Sequence, residues 1–332
     1  MLSAPPGPVE TVAELVRAGD VRRAGRLISD IENGRAGAAD VLRELAASTG
    51  RAQLIGITGP PGAGKSTLVA GLIRALRAQG RTVGVVAVDP SSPFSGGAVL
   101  GDRDRMLEAA SGDPDVFIRS LASRGAVGGL AAAVNGAVDV MDAMGKEVVI
   151  VETVGVGQGE FDIAQVVHTV VLVLVPGYGD SLQAMKAGIT EIADVVAVNK
   201  GDLPEATQTA KDIRGQGLLR RDPSDASEWP VPVVTVSALR QDGIDELIKA
   251  IDEHLVRISA TGWRAHGERA RRHAEFAALV TDRLRAQLLA GAVPSGAAQD
   301  PRTAADAFVA AVSRLLRTSA DSPSDTAETE TA

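Results

Sequence analysis

The chain has 332 residues, and 34 Lys+Arg against 42 Asp+Glu leave a formal charge of −8. A surface of that sign repels phosphate backbones and anionic lipid, which argues against a general nucleic-acid or membrane-surface binder. Cysteine is absent, which excludes disulfides, zinc–thiolate sites, iron–sulfur ligation and thiol nucleophiles together. Aromatic residues reach only 2% while Gly numbers 36, so base-stacking platforms are disfavoured and sites lined by backbone are favoured.

The opening MLSAPPGPVE carries neither the basic stretch nor the apolar run of a signal peptide, so the expected location is cytoplasmic. From Val9 to about Ala47 apolar residues recur at helical spacing, giving a helical extension over residues 1–50. The rhythm then changes to β-branched runs separated by helical stretches. Strands are predicted at Leu54–Thr58, Thr82–Val88, Val116–Ile118, Glu147–Thr153, Val167–Val175, Val195–Val198 and Val233–Val236. Near-continuous apolar strands with helical crossovers predict a mostly parallel sheet covered by helices on both faces, over residues 51–258. The most apolar run, Val166–Val175, is about half the roughly 20 residues a membrane helix needs and is read as a buried strand. Beyond Leu255 two helices are predicted. One covers Glu268–Leu289, with Phe276, Leu279, Val280, Leu284 and Leu288 on one side; the other starts at Asp300-Pro301. They form a C-terminal helical region, 259–318, whose apolar stripes would pack on their own domain or, in the preferred reading, in a subunit interface, and an acidic tail, 319–332, expected to be disordered.

The strongest local feature is Gly59-Pro60-Pro61-Gly62-Ala63-Gly64-Lys65-Ser66, followed by Thr67. It matches G-x-x-x-x-G-K-[ST] between a predicted strand and a predicted helix. Its backbone N–H groups would turn around a β-phosphate, with the helix N-terminus aimed at the same anion. Lys65 would neutralise β- and γ-phosphate oxygens, and the Ser66 hydroxyl would ligate magnesium. Asn199-Lys200-Gly201-Asp202 then chooses the base. The Asp202 carboxylate can accept from the ring N–H and exocyclic amine of guanine, groups that adenine lacks at those places. Asn199 would brace the base pocket and phosphate loop, and the Lys200 stem would cover the base. The backbone of Ser237-Ala238-Leu239 would donate to the guanine carbonyl.

Acids that could hold magnesium and sense a γ-phosphate stand at predicted strand ends. Glu152 begins E-x-x-G through Gly155, whose amide would meet the γ-phosphate; Asp89 closes the second strand and Asp102 lies in GDRDRM. Glu152 is long enough to reach the metal through water. Gln158 is a candidate for orienting the attacking water. Arg103, Arg105 and Arg124 are unranked candidates for a cationic finger, so slow unaided hydrolysis accelerated by a partner is predicted.

With GPPGAGKST at 59–67, VDPSSPFSGGAVLGDRDRM at 88–106, VETVGVGQGE at 151–160 and NKGD at 199–202, the chain resembles the methylmalonyl-CoA mutase-associated GTPases known as MeaB or ArgK, of the SIMIBI class of P-loop GTPases. The resemblance spans roughly residues 9–318. It implies a homodimer formed through the C-terminal helices, a Mg2+·GTP site cycling to GDP, and a chaperone role. The implied client is an adenosylcobalamin-dependent methylmalonyl-CoA mutase, whose cofactor loading is gated by GTP. By motif it carries phosphate binding to Lys65, a magnesium shell to Ser66, Asp89, Asp102 and Glu152, and guanine reading to Asp202. Two other activities occur in proteins of this kind. A metal-insertion GTPase of nickel-enzyme maturation would ordinarily show Cys or clustered His, whereas Cys is zero and His168, His254, His266 and His273 are dispersed. An ATPase or kinase serving arginine/ornithine transport is opposed by NKGD.

Overall fold

The computed structural model describes residues 10–89, 104–122, 129–153, 163–177, 192–215 and 229–289, together with 302, 303, 306, 309 and 310. The chain divides into two compact units, 1–278 and 279–332.

The first unit is built on seven strands: β1 (Gln53–Thr58), β2 (Val83–Asp89), β3 (Val116–Ala122), β4 (Val148–Glu152), β5 (Thr169–Leu174), β6 (Val195–Val198) and β7 (Val233–Thr235). They form one sheet in the order β3-β2-β4-β1-β5-β6-β7, with every described pairing parallel. All seven predicted strands are present, and their apolar continuity has a direct cause. β1, β4, β5 and β6 are buried at every residue, because helices cover both faces.

On one face lie α4 (Lys65–Ala78) and, among the later helices, α8 (Ile244–Ala260). Leu68, Leu72, Ile73 and Leu76 of α4 share a core with Leu247, Ile248 and Ile251 of α8. The other face is covered by α6 (Gly129–Ala143), on which α1 (Val12–Arg17), α2 (Val21–Glu32) and α3 (Ala38–Leu45) are stacked. Val16, Leu27, Ile28 and Leu45 join Val134, Val138 and Met141 in that second core. Thus the N-terminal helices continue the core of the sheet across the boundary expected at residue 50. Thr11 and Glu14 form a reciprocal capping box at the start of α1, and Asp20 caps α2. Beyond the sheet's β6–β7 side, α7 (Ala206–Gly215) places Ala206, Ala210 and Ile213 over Leu172 and Val196. α5 (Asp104–Ala109) lies against α4.

Helix α9 runs from Trp263 to Leu289, longer at its start than the predicted 268–289. Phe276, Leu279 and Val280 on it are exposed. In the second unit the described residues between 302 and 310 are all helical, in keeping with the start expected at Asp300-Pro301.

The strand order reverses its direction of growth at β1: the chain adds β2 and β3 on one side, returns with β4, then places β5, β6 and β7 on the other. In such sheets the crevice at the carboxyl ends beside the reversal receives ligands. The glycine-rich loop leaves β1 at that point.

Candidate nucleotide site

The loop 59–64 is shaped by steric demands that only glycine meets. Gly64 has φ +83°, and a Cβ there would stand 2.6 Å from Asn199 Nδ2; at Gly59, with φ +140°, it would lie 2.2 Å from the Val173 carbonyl oxygen. Gly64 is also the N-cap of α4 and supplies no capping side chain. The N-terminus of α4, with its partial positive charge, thus faces the loop without a side-chain cap, a setting that favours an anion. Lys65 is buried, and its Nζ donates to the carbonyls of Gly59 (2.8 Å) and Pro60 (3.2 Å). These contacts hold the ammonium inside the loop, where a β- or γ-phosphate would sit.

Ser66 Oγ donates to Glu152 Oε1 at 2.7 Å. The sheet sets this meeting: Glu152 is level with Ile57 of β1 and Ala87 of β2, at the edge from which the loop departs. Thr153, one residue on, donates its N–H to the Ile57 carbonyl and its hydroxyl to Thr58 Oγ1 at 3.2 Å, pinning the strand end. A hydroxyl and a carboxylate side by side are hard oxygen donors that fit Mg2+. Among the described residues no group of three or more His, Cys, Asp or Glu could hold a metal. Of Asp89 only the backbone is described, at the carboxyl end of β2. Asp102, Arg103, Arg124, Gly155 and Gln158 lie outside the described residues. Arg105, from α5, donates to Thr67 Oγ1 at 2.5 Å, one residue beyond Ser66.

The base-side motifs are joined to this loop by one side chain. Asn199 is 3% exposed; its Nδ2 donates to Ala63 O at 2.8 Å and its Oδ1 accepts from Ala238 N–H at 3.1 Å. NKGD and SAL are joined a second time where Ser237 Oγ donates to Asp202 Oδ1 at 2.7 Å. That hydrogen bond is the main cause holding the Asp202 carboxyl below the usual carboxylate range. Lys200 is exposed in the left-handed region at φ +57°, a costly conformation for a non-glycine residue. The Ser237 N–H is taken by Asp242 O and the Ala238 N–H by Asn199. Two of the three amides expected to face the base carbonyl are thus already engaged within the chain.

Gln241 was not foreseen. It too has positive φ, +61°, and its Nε2 donates to Ala238 O at 2.5 Å. A Cβ on Gly71 of α4 would lie 3.0 Å from that same nitrogen. Gln241 therefore ties the SAL turn to the helix that carries the phosphate loop. The only signal in the sequence is the Asp242-Gly243 turn beside it.

A parallel sheet with a glycine loop and lysine at its reversal point, and an N-K-x-D run stitched to that loop, defines a P-loop guanine-nucleotide-binding protein. Within that class the chain belongs to the family described as methylmalonyl-CoA mutase-associated GTPase MeaB, whose model matches residues 24–292. It is a GTPase that binds guanine nucleotide. A candidate GTPase of Pyrococcus abyssi is 46% identical over 273 residues, covering 82% of this chain and 84% of that one. The mouse mitochondrial methylmalonic aciduria type A homolog is 39% identical over 212 residues, 63% of this chain; the match spans 50% of the mouse protein. A crystal structure of a LAO/AO transport system kinase has the same fold. Its TM-score is 0.68 at 23% identity, covering 91% of this chain and 96% of that one.

Proposed function

We propose that this chain is a Mg2+-dependent GTPase acting as a chaperone for an adenosylcobalamin-dependent methylmalonyl-CoA mutase, with the GTP cycle gating cofactor loading. The observation that carries the nucleotide half is the buried bridge of Asn199 between phosphate loop and SAL turn, beside the Ser66–Glu152 pair. In this reading Lys65 and the N-terminus of α4 hold the phosphates, and Ser66 and Glu152 hold magnesium, directly and through water. The metal supplies charge neutralisation on the phosphate oxygens. Asp202, kept ionised by Ser237, accepts from guanine, and the Leu239 amide serves the base carbonyl beside the two that are engaged. Residues Gly155, Asp89 and Asp102 complete the γ-phosphate and metal shell.

The client half is supported by the family's description and by the name of the mouse relative. Exposed Phe276, Leu279 and Val280 on α9 support a homodimer formed through the C-terminal helices. The test is to measure GTP turnover with and without the adenosylcobalamin mutase of the same cell and to ask whether the two proteins co-elute. Stimulation with co-elution is expected. A turnover rate indifferent to every such mutase would overturn the chaperone reading and leave the GTPase standing.

A further inference from the structure

On the side of the sheet opposite the nucleotide there is a cavity of about 480 Å³. Its position follows from the strand direction, since it is lined by Val170 near the start of β5, Asp194 just before β6 and Val231 just before β7. Helices α8 and α9 supply the other wall.

Its lining is chemically unlike the rest of the chain. The sequence contains two Trp and four His, and Trp229, Trp263, His168, His254 and His266 all line this one cavity. The wall is ordered by a polar network. Trp229 Nε1 donates to the Asp194 carbonyl at 2.7 Å, and its ring lies 5.1 Å from that of His254. His254 Nδ1 is 2.9 Å from Thr169 Oγ1. Trp263, 62% exposed, stands edge-on to His266 with ring centroids 5.7 Å apart. Arg257 and Arg264 line the cavity, Arg264 being paired with Glu268 Oε1 at 3.2 Å and donating to Gly50 O; the one carboxylate of the lining, Asp194, accepts from Val170 N–H at 2.9 Å and stands 3.5 Å from His254 Nε2. Aromatic faces over an apolar floor, with guanidinium groups at the side, are what a flat anion needs. Gly267 of α9 also lines the cavity, and a Cβ added there would meet nothing within 4 Å. Glycine in a helix interior is a cost relative to alanine, and here the space it leaves belongs to the cavity.

We propose that this cavity is a second ligand site, separate from the nucleotide site, for a planar organic anion: an aromatic or conjugated ring system bearing a carboxylate, sulfonate or phosphate. The ring lies against Trp229 and Trp263 and the acidic group meets Arg257. The proposal is independent of the mutase reading.

The molecule carries its own reporter, because both tryptophans line the site. Full-length protein saturated with GDP is titrated with 1-anilinonaphthalene-8-sulfonate under selective tryptophan excitation. Saturable quenching with one dye per chain is expected. Gly267→Phe fills the mouth from an open position and should abolish it, and Arg257→Gln should weaken it roughly tenfold, as expected for loss of a charge-assisted contact. Neither residue belongs to the nucleotide machinery, so GDP affinity stays native in both variants and certifies their fold. The absence of saturable quenching overturns the proposal. So does dye affinity within twofold of native in either variant, because the dye would then be sitting on exposed apolar surface elsewhere.

Discussion

Asn199→Ala is the sharpest probe of how the site is held together. The substitution removes a donor to Ala63 O and an acceptor for Ala238 N–H, at 2.8 and 3.1 Å. Ala63 is fully buried and Ala238 is 3% exposed, so neither group regains bulk water. Leaving one buried polar group without its partner costs about 1–3 kcal/mol, and two cost roughly 2–6 kcal/mol. The space vacated by the amide is polar enough to admit a water, which moves the expectation to the lower end, about 2–3 kcal/mol.

Part of this cost falls on the empty protein and part on the complex, and the partition is informative. Both orphaned groups sit on loops proposed to contact nucleotide, so disorder in either loop would have to be reversed when GDP binds. Each 1.4 kcal/mol spent that way weakens GDP tenfold, so a loss of roughly ten- to a hundredfold is expected, mainly as faster dissociation. The assay pairs fluorescent-GDP dissociation kinetics with denaturant unfolding of the nucleotide-free protein. Asn199→Asp is the companion: it keeps an acceptor for Ala238 N–H but sets a carboxylate against Ala63 O, and should be worse than alanine. A variant with unaltered GDP release and with stability within about 0.5 kcal/mol of the parent would refute the idea that this side chain couples the two loops.

Four further outcomes are expected. Glu152→Gln leaves the hydrogen bond with Ser66 feasible but removes a charge facing the metal position; GTP turnover should fall by roughly a hundredfold or more while GDP binding stays within a few-fold, and a magnesium titration should shift to higher concentration. Asp202→Asn should move preference from guanosine toward xanthosine nucleotides in competition binding, and because Ser237 holds the carboxyl low, the native preference for GTP over ATP should be unchanged from pH 8 down to about pH 5. His168 is driven to about 3, by burial first and then by Arg264 and Arg271; the unfolded chain binds its proton near 6.5 and the folded one does not, so stability is complete above about 6.5 and falls with pH below it, by about 2 kcal/mol at pH 5. His168→Asn, whose oxygen can still accept from Leu54 N–H, should flatten that slope in unfolding curves. If the proposed homodimer forms through α9, the parent scatters light as a dimer and Phe276→Glu as a monomer, with single-site GDP affinity unaltered.

The nucleotide side of the molecule was legible because its chemistry is local in sequence. Eight consecutive residues match the phosphate-loop pattern, and four match the guanine-reading one. Strand continuity betrayed the burial that places both at one sheet edge. What sequence spacing does not encode is which distant groups meet: the pairing of Ser66 with Glu152, the double seam between 199–202 and 237–238, and the role of Gln241 all depend on strand order. The cavity at the opposite edge was hidden for the same reason. Its histidines at 168, 254 and 266 are far apart along the chain and look dispersed, and only the juxtaposition of β5 and β6 with α8 and α9 gathers them. Their dispersion along the chain does not persist in the fold, where the Nδ1 atoms of His168 and His254 meet Leu54 N–H and Thr169 Oγ1. Rings so committed form a wall, and a fixed aromatic wall beside arginine is a place for a flat anion better than for an ion that needs free nitrogen lone pairs.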